Sequence, residues 1–324
     1  MASIIFNNVY IKDYLTVAGP LESNSKLKKI DFKMSDYYFG EKTFELAEVK
    51  MQKVVFEGLL QKNGLEAKNI NLLVGGDLLN QITVTSYASK NVPISLLGVY
   101  SACATFPESI IIGSQFLKDR NMKNIIAMTS SHNLTAERQF RYPIEYSCPP
   151  KNTQTFTTTA AIGTLISKEV GNIKVESGTI GRVIELGIND ANNLGAVMAP
   201  AAADTLYQHL LELKRSIDYY DLILTGDLGV VGKEIFIEYF EKVYNITINK
   251  HLDAGCELYL KSQDTLAGGS GPACLPLVLF NKIIPSKKYK KILIIGTGAL
   301  HSKTFVNQKH AIPSIAHAVS LEVL

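Results

Sequence analysis

No two cysteines in this chain are spaced as a redox pair or a metal knuckle. The four, Cys103, Cys148, Cys256 and Cys274, form no CxxC and have no histidines at ligand spacing. That excludes a legible metal site and argues against a disulfide framework, so a reduced, intracellular protein without metal or cofactor is expected. A concentrated basic stripe is missing too. The chain's 33 Lys and Arg stand against 30 Asp and Glu, a net charge of +3, which is too mild for a nucleic-acid binder. No run approaches the roughly 18–20 apolar residues of a membrane span. The first residues, "MASIIFNNVYIKDYL", have neither a basic leader nor a long apolar core. The expectation is a soluble protein, at most peripheral on a membrane. Charged residues make up only 19% and no low-complexity tract interrupts the chain, which excludes a largely disordered protein.

What the chain does have is apolar material. Of its 324 residues 46% are hydrophobic, ample for one large domain or two fused halves. Ala47, Met51, Val54, Val55 and Leu59 recur at helical spacing, with Thr43 as N-cap and Gly64 as stop. "NLLVGGD" then reads as a buried strand. A helix near 82–90, a strand "ISLLGV", a helix with Phe106, Ile110 and Leu117 on one face, and strands "NIIAMTSS" and "AAIGTLIS" follow. Helices alternating with wholly apolar strands indicate an α/β protein whose sheet is covered on both faces.

The second half repeats the first. "NLLVGGDLL" (71–79) matches "DLILTGDLG" (221–229), "SAC" (101–103) has a partner in "PAC" (272–274), and "NIIAMTSSHN" (124–133) is echoed by "KILIIGTGALHS" (291–302). The spacings between these marks differ, as in an old duplication with insertions. Two halves, 1–170 and 171–324, are expected to stack their sheets around shared central helices.

Duplicated βαβαβ halves with a cysteine heading a central helix resemble the thiolase fold, a layered αβαβα sandwich. "SACATFPESI" is similar to the nucleophile segment of β-ketoacyl synthase III enzymes. "GGSGPACLPLVL" is similar to the segment that carries their catalytic asparagine, and "TTTAAIGTLIS" to a later core strand. A closer resemblance, over nearly the whole chain, is to the stage V sporulation protein AD family. It is carried by "GDLLNQ", "SSHNLTAERQFRYPIEY", "VMAPAAADT", "YDLILTGDL" and "AGGSG". This resemblance implies a non-catalytic protein that binds dipicolinic acid, alone or as its calcium chelate, for loading into the developing spore. It further implies a homodimer, membrane-channel subunits of sporulation as partners, and a cytoplasmic place at the inner membrane of the forespore. The alternative is a condensing enzyme that uses Cys103.

The residues favour non-catalysis. Acyl condensation needs a thiolate and two polar partners for its oxyanions. Where the synthase pattern has histidine, this chain has Gly226 followed by Asp227, and where it has asparagine, Gly269. Thr105 and Glu108 have capping-box spacing, which would start the helix at Thr105, leave Cys103 just outside it, and keep the thiol near its ordinary pKa. Cys103 is therefore read as pocket wall, packing or, least of all, nucleophile. Cys274 is read as mid-helix core, and Cys148 as structural.

Other candidates cluster at strand ends, where α/β folds place ligands. His132, Asn133, Arg138, Arg141 and Tyr142 follow the strand "NIIAMTSS". The arginines suit carboxylates, or they tie down the loop through Glu137 and Glu145. Asp77 with Asn80, and Asp227, could make a pocket polar, face a metal-chelated ligand, or cap the next helix. Gly269 and Ser270, inside "LAGGSGP", offer amides to an anion, and His301 could reach the same cleft. The cluster Lys287, Lys288, Lys290 and Lys291 is a solvated turn or a contact for anionic lipid.

Overall fold

The computed structural model describes residues 2–324. The main sheet has twelve strands, two of them short side pairings (Ala2–Ile5 and Phe32–Lys33) and ten of them a continuous path. The first five of these ten in chain order are β1 (Tyr10–Ala18), β2 (Leu72–Gly76), β3 (Leu96–Gly98), β4 (Asn124–Ser131) and β5 (Ala160–Ser167). The second five are β6 (Ile173–Ile180), β7 (Leu222–Thr225), β8 (His251–Asp253), β9 (Lys291–Ala299) and β10 (Ser314–Val323). The spatial order is β8-β7-β9-β10-β6-β1-β5-β4-β2-β3. Both runs of five thus follow one plan. β2 is parallel to β3 and β4, as β7 is to β8 and β9. β5 runs antiparallel between β4 and β1, as β10 does between β9 and β6. β1 and β6 join the two runs through Tyr10↔Lys174 and Ile11↔Ile173.

Besides the short helices Pro20–Ser23 and Lys303–Asn307, the helices are α1 (Phe44–Lys62), α2 (Thr83–Ala88), α3 (Thr105–Phe116), α4 (Asn133–Phe140), α5 (Leu194–Glu212), α6 (Gly229–Tyr244), α7 (Ala254–Leu258) and α8 (Cys274–Val278). Thr43 accepts from the Leu46 amide and caps α1, while Gly64 (φ +61°) follows its end. Three apolar layers result. In the middle, α3 and α8 bring Phe106, Ile110, Leu117 and Val278 against strands of both halves. Met51, Val55 and Leu59 of α1 pack on Leu15, Val17 and Leu165 outside the first run of strands. Leu206, Phe236 and Phe240 cover Ile223 and Leu293 outside the second run. A strand whose two faces both meet helices must be apolar on both, which is why β4, β5 and β7 read as continuous hydrophobic runs. The layered αβαβα arrangement is the thiolase-like one.

Two local readings change. α3 does begin at Thr105, but without a capping box. The Thr105 hydroxyl accepts from the Ser101 amide and donates to the Ala102 carbonyl at 2.7 Å, while Glu108 turns to Ser101. Cys274 is buried, but at the first turn of α8 rather than mid-helix, because the preceding GGSG segment is extended and turn-like.

Candidate functional site

Cys103 sits in a single 3-10 turn, Ala102–Ala104, between β3 and α3. Ala102 has a left-handed φ of +50°, a strain of about 1 kcal/mol or more for a residue with a Cβ. The turn is held by the Thr105 bonds and by His317, whose Nε2 meets the Ser101 hydroxyl at 3.1 Å. β9 must approach this turn closely. A Cβ on Gly298 would lie 2.2 Å from the Ser101 carbonyl oxygen, so only glycine fits there.

Around Cys103 lies a narrow, partly open cavity with an enclosed volume of about 40 Å³. Its walls include Leu194 and Met198 of α5, Phe140 and Arg141 from the end of α4, Thr155 and Thr157, Asp227, Ser270 and His301. Thr157 and Ser270 belong to a short parallel ladder, Phe156–Thr157 with Gly269–Ser270, which ties the loops of the two halves together beneath the cavity.

Asp227 is the buried charge-bearing group of this wall. The Thr297 hydroxyl donates to its Oδ1 at 2.5 Å and the Gly271 amide to its Oδ2 at 3.1 Å. Gly271 has φ +101° and abuts Ser131, so glycine is required at this turn. Burial pushes the Asp227 carboxyl up to about 7, although bonds from Thr297, Cys103 and Gly271 favour its ionised form. Burial and the neighbouring Asp227 raise the Cys103 thiol well above its ordinary value, in place of the near-normal thiol expected from the sequence. His301 is lowered to about 4, by burial first and then by Arg141 and Lys303, and is neutral at pH 7.

Of the residues singled out in the sequence, Cys103, Arg141, Asp227, Ser270 and His301 meet at this cavity. The others stand elsewhere. Asp77 is buried and accepts from the amides of Leu79 and Thr85 and from the Thr85 hydroxyl. His132 caps α4, accepting from the Leu134 amide, and its Nε2 lies 2.9 Å from the Tyr37 carbonyl. Arg138 makes an ion pair with Glu45 at the surface. Asn80 is exposed along an outer groove that Phe140 and His301 separate from the cavity. Gly269 presents its Cβ direction to Leu258, Tyr259 and the Cys274 sulfur. Of the GGSG amides, Gly268 N–H donates to the Thr265 carbonyl and Gly271 N–H to Asp227. Arg141 reaches the cavity while pairing with Glu137 and donating to the Thr155 carbonyl.

Sequence reasoning missed Thr155, Thr157 and Thr297. The available signal was the threonine-rich stretch "NTQTFTTT" before β5, which places hydroxyls where a buried strand would otherwise be apolar. Among the described residues no cluster of three or more His, Cys, Asp or Glu is arranged to hold a metal ion.

The family model for stage V sporulation protein AD (SpoVAD) matches residues 2–322. The chain belongs to the stage V sporulation protein AD family. It is 39% identical over 318 residues to stage V sporulation protein AD of Bacillus subtilis (strain 168), covering 97% of this chain and 94% of that one. Among solved structures, OleA of Xanthomonas campestris aligns with TM-score 0.63 at 13% identity, over 98% of this chain and 99% of the other. The 3-oxoacyl-(acyl carrier protein) synthase III of Xanthomonas oryzae pv. oryzae gives 0.61 at 16%, over 98% and 100%. At such identities the likeness establishes the thiolase-superfamily fold of this SpoVAD family member and leaves its chemistry to its own residues.

Proposed function

We propose that this SpoVAD family member is a non-catalytic binding protein of sporulation whose Cys103 cavity takes dipicolinic acid. One observation carries the reading. Two buried polar atoms of the wall, Thr155 Oγ1 and His301 Nδ1, have no hydrogen-bond partner within the protein, and they stand in the same cavity as Arg141. Buried polar atoms are rarely left unsatisfied, and this set suits an aromatic ring bearing carboxylates. Catalysis is disfavoured by the same geometry. A thiol with a raised pKa is a poor nucleophile. Calorimetric titration with dipicolinate, with and without calcium, tests the proposal. Absence of binding in both, or a stable acyl adduct on Cys103 from acyl thioesters, would overturn it.

The assembly reading rests on β3. This edge strand leaves Leu96, Leu97 and Gly98 exposed, and pairing it with its mate in a second copy would cover a liability. A monomer at micromolar concentration in light scattering would sink the homodimer. The strands leave the chain between Ser167 and Ile173 to begin the second run of five, which supports the division into residues 1–170 and 171–324. Independent expression of the halves that gave two separately folded domains would argue against an obligate stack.

No helix among the described residues is long and apolar enough to cross a membrane. Lys287, Lys288 and Lys290 are exposed beside one another, whereas Lys291 is drawn into ion pairs with Glu176 and Glu322. That leaves a small basic patch for an anionic inner-membrane surface or a channel subunit. Cosedimentation with anionic vesicles that is unchanged when the three lysines become alanine would remove the lipid reading.

A further inference from the structure

We infer that the cavity takes up its dicarboxylate together with one proton, and that Asp227 is the group that holds the proton. The inference rests on the binding reading above and adds a linkage to it.

The argument is one of charge in a buried place. Among the described residues lining the cavity, Arg141 is the one permanent cation, and it already shares its charge with Glu137. His301 is neutral near pH 7, being held low by burial, Arg141 and Lys303. Asp227 is 1% exposed, lies in the same wall, and meets no cation. The groups facing it are Cys103 from the 3-10 turn, Cys274 from α8, Asp253 at the end of β8, the Thr297 hydroxyl on β9 and the Gly271 amide. With Asp227 ionised, the site carries no net positive charge with which to receive a dianion. Bringing one in would bury uncompensated charge, which is strongly unfavourable.

Protonating Asp227 removes the conflict without moving an atom of the scaffold. A neutral carboxyl still has oxygens to accept from Thr297 and Gly271, and it gains one O–H to donate to a ligand carboxylate. Such a bond to a charged acceptor is among the stronger ones. The free group titrates at about 7, so protonation is accessible. A bound carboxylate beside it can only raise that value. Both carboxyls of the ligand ionise well below pH 7, so the proton taken up belongs to the protein.

The duplication gives an independent geometric reason for Asp227 to stand here. Asp77, its counterpart, is consumed by the amides of Leu79 and Thr85. At the second site Asp253 performs that service, accepting from the amides of Leu228 and Gly229. Asp227 is thereby released toward the cavity.

The test is calorimetry of the full-length protein with sodium dipicolinate in the presence of a calcium chelator. Titrations run from about pH 6 to pH 9, and near pH 8 in two buffers of different ionisation enthalpy. Proton uptake should be close to one per ligand near pH 8 and close to zero near pH 6, with affinity falling about tenfold per pH unit above about 7. Asp227→Asn should abolish the uptake and make the affinity independent of pH. The wild-type buffer dependence answers the main question even where the variant does not fold. Binding without proton uptake would overturn the inference while leaving the binding reading intact. So would binding that requires calcium and takes up no proton, since the cation would then cancel the charge. Proton uptake that persists in a folded Asp227→Asn would remove Asp227 as its holder. No binding at any pH, with or without calcium, would remove the binding reading itself and the inference with it.

Discussion

Asp77 and Asp227 follow matching strands of the two halves, each in a Gly-Asp-Leu, yet Asp77 is locked to Thr85 and Leu79 while Asp227 is held by Thr297 and Gly271 at the cavity wall. The first is a piece of scaffold, and the second lies where a ligand would meet it. Asp77→Ala should leave two buried amides without acceptors, each costing about 1–3 kcal/mol. We expect it to lower unfolding stability in urea by roughly 2–5 kcal/mol. Asp227→Asn keeps an acceptor oxygen and should change stability by less than about 1 kcal/mol. Equal losses from the two substitutions would contradict this division of roles.

This pair also shows what could be read in advance. The apolar runs at 72–76, 124–131, 160–167 and 222–225 announced strands buried on both faces, because nothing but a covered sheet tolerates such continuity. The repeat of Gly-Asp-Leu announced two halves. It did not say which aspartate faces the cavity, because that depends on Asp253, a residue about 25 positions downstream that no local pattern links to Asp227. His132 and Arg138 were drawn toward the site by their place after a strand. The structure spends the first on capping α4 and the second on Glu45, on a different element altogether. The fold was legible because periodicity is local. The site was half legible because partners meet only in three dimensions.

Arg141 and Arg138 lie three residues apart and should behave differently. Arg141 lines the cavity with little of its side chain exposed, whereas Arg138 is half-exposed in a surface ion pair. A hydrogen bond to a charged group is worth about 1.5–3 kcal/mol, so Arg141→Ala should weaken dipicolinate binding by about 10- to 100-fold. Arg138→Ala should bind as the wild type does, since exposed pairs contribute about 0–1 kcal/mol. Cys103→Ala, which removes contact area only, should cost clearly less than Arg141→Ala. Calorimetry of the three variants decides it. Loss of binding from Cys103→Ala alone would move the recognition to the thiol.

Cys103 should be slow to react. Its thiol is raised by burial and by Asp227, whereas Cys148 is exposed in a loop. Alkylation with iodoacetamide near pH 8, followed by peptide mass spectrometry, should label Cys148 first and Cys103 much later. Removing the carboxylate in Asp227→Asn should speed Cys103 several-fold, because the thiolate would no longer form beside an anion. Labelling of Cys103 faster than Cys148 in the wild type would mean an activated thiol and would reopen the condensing-enzyme reading.

Glu22 links the halves through one buried carboxyl, and its sign can be worked out. Its Oε1 accepts from the Thr159 amide and the Tyr259 hydroxyl, while Oε2 has no partner. Burial raises its pKa from the ordinary carboxyl value of about 4.5 to about 7. Between those values the folded protein holds a proton that the unfolded chain has released. Stability from this group is therefore fully present below about pH 4.5, falls as pH rises, and is gone above about 7. At about 1.4 kcal/mol per unit, the span corresponds to at most roughly 3–4 kcal/mol. Glu22→Gln, neutral at every pH, should match the wild type near pH 4 and exceed it in urea midpoint near pH 8, flattening the profile between. A variant that is less stable than the wild type at pH 8 would mean that the fold favours the ionised Glu22, its pKa not being raised and its charge met by something other than Tyr259 and Thr159.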